Sequence, residues 1–291
     1  MQSDEIHIDA RLVRRLLREQ HEDLATLELR PCGSGLDNAM FRLGERLAVR
    51  LPKRVAAAPF LLVERAWLPV IANRLATSTP IPVREGLPSR AYPWHWSIVK
   101  WVSGVPADHS PLGAEGVMDL VTALRSLHLE APAPAPRNPF RGVPLSHRQH
   151  VVVARLRRLE IRTSCITPAI WRVWERALDA EPDVAPVWIH GDLHPHNILV
   201  ERGRLAGIID WSDMAAGDRA TDLAVVWMLL SDQRAREEAM AAYPTTDADA
   251  VWARARGWAV LFGALLLESG LRGQPRYAEV GARTLERVMS P

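Results

Sequence analysis

The sequence predicts an α+β protein in two parts: a small, mostly antiparallel sheet with one main helix over residues 1–102, and a larger, mainly helical part over 103–291. Three observations predict it. Short runs rich in β-branched and aromatic residues, separated by glycine-containing turns, crowd the first hundred positions. Ser103-Gly104-Val105-Pro106 then punctuates the chain, and apolar residues at three- and four-residue spacing dominate beyond it. The 291 residues, 48% hydrophobic and 24% charged, exclude a largely disordered chain and exceed one small module.

In order along the chain, residues 9–20 place Leu12, Val13, Leu16 and Leu17 on one helical face, with Asp9 positioned as N-cap. A β-like run at 27–30 leads into the turn-rich stretch 33–38. Strands at 39–43 and 47–51, joined by Gly44-Glu45-Arg46, read as a hairpin. Residues 59–76 read as a helix carrying Glu64, and 97–102 as a buried strand. Residues 113–129 form an amphipathic helix. The alternating Ala-Pro run at 131–136 reads either as a stiff spacer or as a ligand for a polyproline-binding module, and the permissiveness of such motifs favours the spacer. Helices are expected within 146–160, 168–180, 220–231, 233–242 and 248–290, with short strands at 187–189, 198–200 and 205–209.

Charge and targeting narrow the partners. Lys plus Arg number 36 against 34 Asp plus Glu, which gives no reason to expect nucleic acid or an anionic membrane. Cys32 and Cys165 cannot build a disulfide framework, so a reducing cytoplasm is the expected compartment. The N-terminus lacks the apolar core of a signal peptide, and the longest strongly apolar run, 258–267, is shorter than the ~20 residues of a bilayer span.

The chemistry-bearing residues lie between 188 and 222. His190, Asp192, His194 and His196 alternate, so in an extended strand they would share one face as zinc or iron ligands, the site of a metal-dependent hydrolase. Pro195 interrupts any regular strand, and no histidine follows His196. The competing reading is phosphoryl transfer. His190-Gly191-Asp192-Leu193-x-x-x-Asn197 has the spacing of a kinase catalytic loop, in which the aspartate meets the acceptor hydroxyl and the asparagine reaches Mg²⁺. A hairpin around Arg202-Gly203-Arg204 then returns the chain to Asp210, at the end of an apolar strand, where the second metal-binding aspartate belongs.

These motifs, with Ile209-Asp210-Trp211 and Gly217-Asp218-x-x-x-Asp222, resemble the aminoglycoside phosphotransferase family of small-molecule kinases. Upstream, residues 35–43 and 47–52 resemble the family's nucleotide loop and third strand, and 92–97 lead into a segment resembling the inter-lobe hinge. The resemblance is strongest over 188–224 and weakest over 130–185. It implies a two-lobed, protein-kinase-like fold, monomeric by default, with ATP or GTP as co-substrate, Mg²⁺ as cofactor and a small-molecule hydroxyl as acceptor. It implies Asp192 as the catalytic aspartate and Asn197 and Asp210 as Mg²⁺ ligands. Glu64 pairs with a basic residue on the third strand. Gly33, Ser34 and Gly35 form the nucleotide loop, and the backbone of Lys100 and Val102 meets the adenine. Asp222 holds the catalytic region together. The third-strand position, often Lys in the family, is Arg50 here; a guanidinium can bind phosphate bidentately, and Lys53 is the alternative.

An aminoglycoside is a polycation and requires carboxylates beside the transfer site; Asp213 and Glu268 are the candidates for such an acidic wall. The 11 tryptophans include Trp227, Trp252 and Trp258, which either line an apolar pocket of the kind a macrolide fills or pack a helical core. An antibiotic acceptor, and so a resistance role, is one expectation. A nucleotide-binding pseudokinase with a regulatory role is the alternative that the intact Asp192, Asn197 and Asp210 oppose.

Overall fold

The computed structural model describes residues 6–34, 37–182 and 185–290. The chain forms two compact units, one from the described residues of Met1–Asn73, Ser78–Ser103 and Ile209–Ser212, the other from Arg74–Thr77, Gly104–Ile208 and Asp213–Pro291.

The first unit opens with helix α1 (Ala10–Gln20), started where the Leu12 amide donates to Asp9 Oδ1 at 2.8 Å. Strands β1 (Leu29–Ser34), β2 (Asn38–Leu43) and β3 (Leu47–Pro52) precede helix α2 (Ala58–Ala72), and β4 (Pro82–Gly86) and β5 (Trp96–Lys100) complete an antiparallel sheet of order β1-β2-β3-β5-β4. Val13, Leu16 and Leu17 of α1 belong to the same buried cluster as Leu43, Val49, Leu51, Trp96 and Ile98. Each such side chain contributes about 1.5–3 kcal/mol on burial. Strand β4 is absent from the sequence reading because prolines flank and begin it. Proline cannot donate to a ladder and is tolerated where β4 lies, at a sheet edge. Helix α2 ends at Ala72, four residues before the expected 76, with Asn73 as its C-cap.

The second unit contains β6 (Val105–Pro106), α3 (Ala114–Leu127), α4 (Gln149–Arg162) and α5 (Pro168–Asp179). Next come β7 (Val187–Ile189), β8 (Ile198–Glu201), β9 (Arg204–Ile208) and β10 (Ala215–Gly217), then α6 (Ala220–Leu223), α7 (Val225–Leu229), α8 (Gln233–Ala242), α9 (Ala248–Gly270) and α10 (Pro275–Arg287). Its strands make two small ribbons, β10-β7 and β6-β8-β9, which carry the loops of the candidate site. Helix α9 packs against α5 and α10. Arg254 of α9 forks onto Asp218, with Nε 2.7 Å from Oδ2 and Nη2 3.1 Å from Oδ1.

Three expectations become more specific. The Ala-Pro run is not a straight spacer: the Ala135 amide donates to Pro132 O at 2.8 Å and closes a turn, and the Ala216 amide donates to Pro136 O at 2.8 Å. The helical content expected within 248–290 is divided into two helices, with a break at 271–274 beside Gly270 and Gly273. The apolar run at 258–267 is part of a longer helix than its composition suggested. Val55–Ala72 and Ala248–Gly270 are each long and apolar enough to cross a membrane by length and composition, but 72% of the second is buried within the protein.

Candidate active site

The first unit contributes a charge cluster. Arg50 on β3 is 5% exposed and Glu64 on α2 is 1% exposed. Arg50 Nη1 donates to Glu64 Oε2. Its Nη2 donates to Asp210 Oδ1 at 2.8 Å and to Ser212 Oγ at 3.1 Å, and Ser212 Oγ donates to the same Asp210 oxygen. One planar guanidinium thus spans two carboxylates, which a lysine ammonium could not do with the same fork geometry. Between the two basic candidates on the third strand, Arg50 is the residue in the cluster. Lys53 lies past the strand end, its amide donating to Asp37 O at 2.8 Å. Asp210 adopts φ 61°, a left-handed conformation that aspartate tolerates better than most residues. Its side chain is 49% exposed, so one edge of the carboxylate stays open beside Arg50.

Parts of the expected nucleotide site lie at strand ends. Gly33 and Ser34 end β1, opposite Met40 and Ala39, while Gly35 lies outside the described residues. The Lys100 amide donates to Ile81 O at 3.0 Å and the Trp101 amide to Arg46 O at 2.8 Å. Sheet bonding occupies the Lys100 amide. Val102 lies just past these bonds, with its side chain 8% exposed.

The second unit contributes the catalytic-type loop. Strand β7 ends at Ile189 and the chain turns through Gly191 at φ 86°, where a Cβ would lie 2.5 Å from Asp213 O; only glycine fits. Asp222, fully buried, fixes this turn. Its Oδ2 accepts from the His190 amide at 2.6 Å and its Oδ1 from the Gly191 amide at 2.8 Å. His128 Nε2 lies 3.3 Å from the same carboxylate, and His128 Nδ1 lies 2.7 Å from Tyr243 Oη. The Asp192 amide donates to His190 Nδ1 at 3.2 Å. A 3₁₀ turn over Pro195–Asn197 follows, and Asn197 Nδ2 donates to Asp192 O at 2.9 Å, which leaves the amide oxygen as that side chain's acceptor.

Asp192 is flanked by an imidazole and a guanidinium. His194 Nε2 lies 3.3 Å from Oδ2, and Arg141 Nη2 donates to Oδ1 at 3.3 Å. Burial alone would raise the carboxyl, but His194, Arg141 and His190 outweigh it and hold Asp192 well below the usual carboxylate range. It is ionised at neutral pH, able to accept a hydrogen bond from a hydroxyl and orient it. Arg141, missed by the sequence reading, sits in an unpatterned loop that gives no signal. The same guanidinium lies 3.8 Å from Asp213 Oδ2, and Asn138 Nδ2 donates to Asp213 Oδ1 at 2.7 Å. This loop is held against β10: the Asp218 amide donates to Gly142 O at 2.9 Å, and the Gly142 amide to Thr221 Oγ1 at 3.1 Å. A Cβ on Gly142 would lie 2.8 Å from Gly217 Cα, and one on Gly217 would lie 2.6 Å from Gly142 Cα.

The acidic wall does not form as expected. Glu268, 5% exposed on α9, accepts from Arg155 Nε at 3.0 Å and Arg158 Nε at 2.9 Å, so its charge is already neutralised. Burial raises its carboxyl, and the bonds from Arg158 and Arg155 more than reverse that. A depressed carboxylate adds stability above its unfolded pKa, about 4.3, and loses it as pH falls. Glu268→Gln should therefore lower stability at pH 7 by about 1–3 kcal/mol. The gap to wild type should narrow in thermal melts below about pH 4; a gap unchanged at pH 3 would disprove the coupling.

The histidine alternation is not a strand face. His194 and His196 meet edge-on with ring centroids 5.2 Å apart, and His196 leans on Tyr277 at 4.6 Å. Burial, aided by the neighbouring His194, pushes the His196 imidazole down. Among the described residues no group of three or more His, Cys, Asp or Glu side chains is placed to hold a metal ion, so the hydrolase reading loses its geometric basis. Trp227 and Trp258 are 1% and 0% exposed; Trp227 packs edge-on with Trp252 at 6.1 Å and Trp258 tilts against Phe262 at 5.8 Å. Trp227 and Trp258 thus pack the helical core.

A buried third-strand cation paired with a helix carboxylate is a kinase-like arrangement, and the loop after β7 has the aspartate–asparagine spacing of the same class. The model of the phosphotransferase enzyme family, APH, matches residues 28–258, and the chain belongs to that family. An aminoglycoside 3'-phosphotransferase from Escherichia coli is 35% identical over 82 residues, 28% of this chain and 30% of that enzyme. Viomycin phosphotransferase from Streptomyces vinaceus is 41% identical over 54 residues, 17% of this chain and 19% of that one. The matched stretches thus span less than a third of these relatives. Among solved structures, the GDP and kanamycin complex of APH(2")-IIia has a TM-score of 0.68 at 19% identity, covering 95% of this chain and 97% of that one. The macrolide 2'-phosphotransferase MphH from Brachybacterium faecium has a TM-score of 0.60 at 23% identity, covering 96% and 98%. These structures share the α+β, kinase-like fold.

Proposed function

We propose that the chain is an ATP- or GTP-dependent O-phosphotransferase that moves the γ-phosphate to a hydroxyl of a small molecule. The observation that carries this reading is the ionised Asp192, presented by a turn that Asp222 bonds rigidly and tied through its carbonyl to Asn197. Asp192 orients the acceptor hydroxyl and takes its proton as transfer proceeds. Arg50 is suited to bind phosphate oxygens, and Glu64 keeps its guanidinium in place. Backbone groups of Lys100 and Val102 remain the candidates for the adenine contacts. The intact Asp192, Asn197 and Asp210 argue against a pseudokinase.

Asn197 and Asp210 offer an amide oxygen and a half-exposed carboxylate, the hard oxygen donors that Mg²⁺ takes, and they would hold it. When bound, the cation neutralises charge on the transferring phosphoryl group. Nucleotide with Mg²⁺ should stabilise the protein; at 100 times Kd the gain is about 2.7 kcal/mol, readily seen in a thermal shift. Asp210→Ala should weaken the Mg²⁺-dependent part of nucleotide binding at least tenfold. An unchanged Mg²⁺ titration by calorimetry would remove Asp210 from that role, and no response to either nucleotide in wild type would overturn the reading as a whole.

The acceptor is the finer question. Kanamycin is bound by one structural neighbour, and the relatives named above include aminoglycoside and viomycin enzymes. The two carboxylates that would receive such polycations here already hold arginines of this chain.

A further inference from the structure

The loop that brings Arg141 to Asp192 also carries Phe140, which supports a further guanidinium. Arg141 serves both Asp192 and Asp213, and Arg155 and Arg158 serve Glu268. Arg148 remains. It ends the short 3₁₀ turn Leu145–Arg148 that leads into α4, with its Cζ 5.2 Å above the Phe140 ring. Phe140 is 53% exposed, so this stack lies at the surface. Among the described residues no carboxylate pairs with Arg148, and its Nε is buried without an acceptor, as is the Nε of Arg141. Burial, and then the charges of Arg141 and Arg155, lower the pKa of Arg148. Arg148 thus rests on the chain neighbour of Arg141, with aromatic support but no counter-charge.

A planar guanidinium held on a ring, with unused donors and like charges beside it, is an arrangement that an anion completes. An ammonium-rich ligand would be repelled by Arg148 and would have to displace Arg141 from Asp192 and Asp213. We propose that the acceptor phosphorylated beside Asp192 is a small alcohol that carries an anionic group, a carboxylate or a phosphate, bound by Arg148. This rests on the phosphotransferase reading and specifies its acceptor. Arg148 anchors the anionic end, and the hydroxyl at the other end of the molecule meets Asp192.

Calorimetry on the full chain, saturated with Mg²⁺ and a non-hydrolysable ATP analogue so that the nucleotide site is filled, tests this. The probes are D-glycerate, L-malate and glycerol 3-phosphate, with glycerol and kanamycin as neutral and polycationic counterparts, at matched ionic strength. At least one anionic probe should bind, and Arg148→Gln, which keeps an aliphatic stem over Phe140, should weaken it at least tenfold. Arg162→Ala, which removes the same charge from the exposed far end of α4, should leave the response intact. Binding of the hydroxy acids alone identifies a carboxylate, and binding of glycerol 3-phosphate alone a phosphate. Kanamycin binding without any anionic probe, no probe binding at all, or equal anion binding in Arg148→Gln would each overturn the proposal. If the Mg²⁺–nucleotide analogue itself fails to bind wild type, the phosphotransferase reading falls instead.

Discussion

Asp192→Ala is expected to abolish phosphoryl transfer, with kcat lowered about 10²–10⁴-fold and nucleotide affinity nearly unchanged. The expectation follows from where the side chain sits. The turn that carries it is held mainly by backbone donors to Asp222 and by the Asp192 carbonyl to Asn197, while the carboxylate's own contacts are to His194 and Arg141. Removing the carboxylate therefore deletes a chemical group and leaves the main bonds of the turn in place. Arg141 keeps Asp213 as a partner, and His194 keeps its contact with His196. Single-turnover transfer measured alongside nucleotide calorimetry checks both halves. A variant retaining more than about a tenth of wild-type transfer would show that another group orients the hydroxyl.

Asp222→Ala should instead destabilise the fold. The wild-type carboxylate is fully buried and accepts two backbone N–H groups, with His128 as a third neighbour. Alanine leaves the His190 and Gly191 amides buried without acceptors, at about 1–3 kcal/mol each. The sum approaches half of a typical domain's stability of 5–15 kcal/mol. For a domain of 150–250 residues each kcal/mol moves Tm by roughly 2–4 °C, so a drop on the order of 10 °C is expected. Hydrogen exchange at the two amides should rise with it. A melting curve within 2 °C of wild type would show that the loop is held elsewhere. The milder Asp222→Asn retains one acceptor oxygen, and should fall between the two.

Much of the framework was legible because local signals and tertiary demands agree. Asp9 caps α1 as its spacing suggests, and the hairpin of β2 and β3 turns at Gly44. The spacing from His190 to Asn197 is legible for a chemical reason: the turn, the aspartate and the asparagine bond to one another within eight residues. Contacts made across long sequence separations were not. Nothing near Glu268 announces that Arg155 and Arg158 will reach it from another helix, so a carboxylate that looks available in the sequence is spent in the fold. Arg141 and Asn138 lie in a loop without periodicity, and their meeting with Asp192 and Asp213 depends on how that loop crosses β10.

The contact between Gly142 and Gly217 bears on how this enzyme could change its substrate. Neither position can gain a side chain without driving it into the other's backbone, so the crossing acts as a rivet for the loop that bears Asn138 and Arg141. Variation in acceptor preference is then channelled into side chains displayed on a frame that stays put, and sliding or lengthening the loop near the rivet is closed off. A directed-evolution library aimed at new acceptors should accordingly randomise positions 138, 141 and 148 and keep both glycines constant.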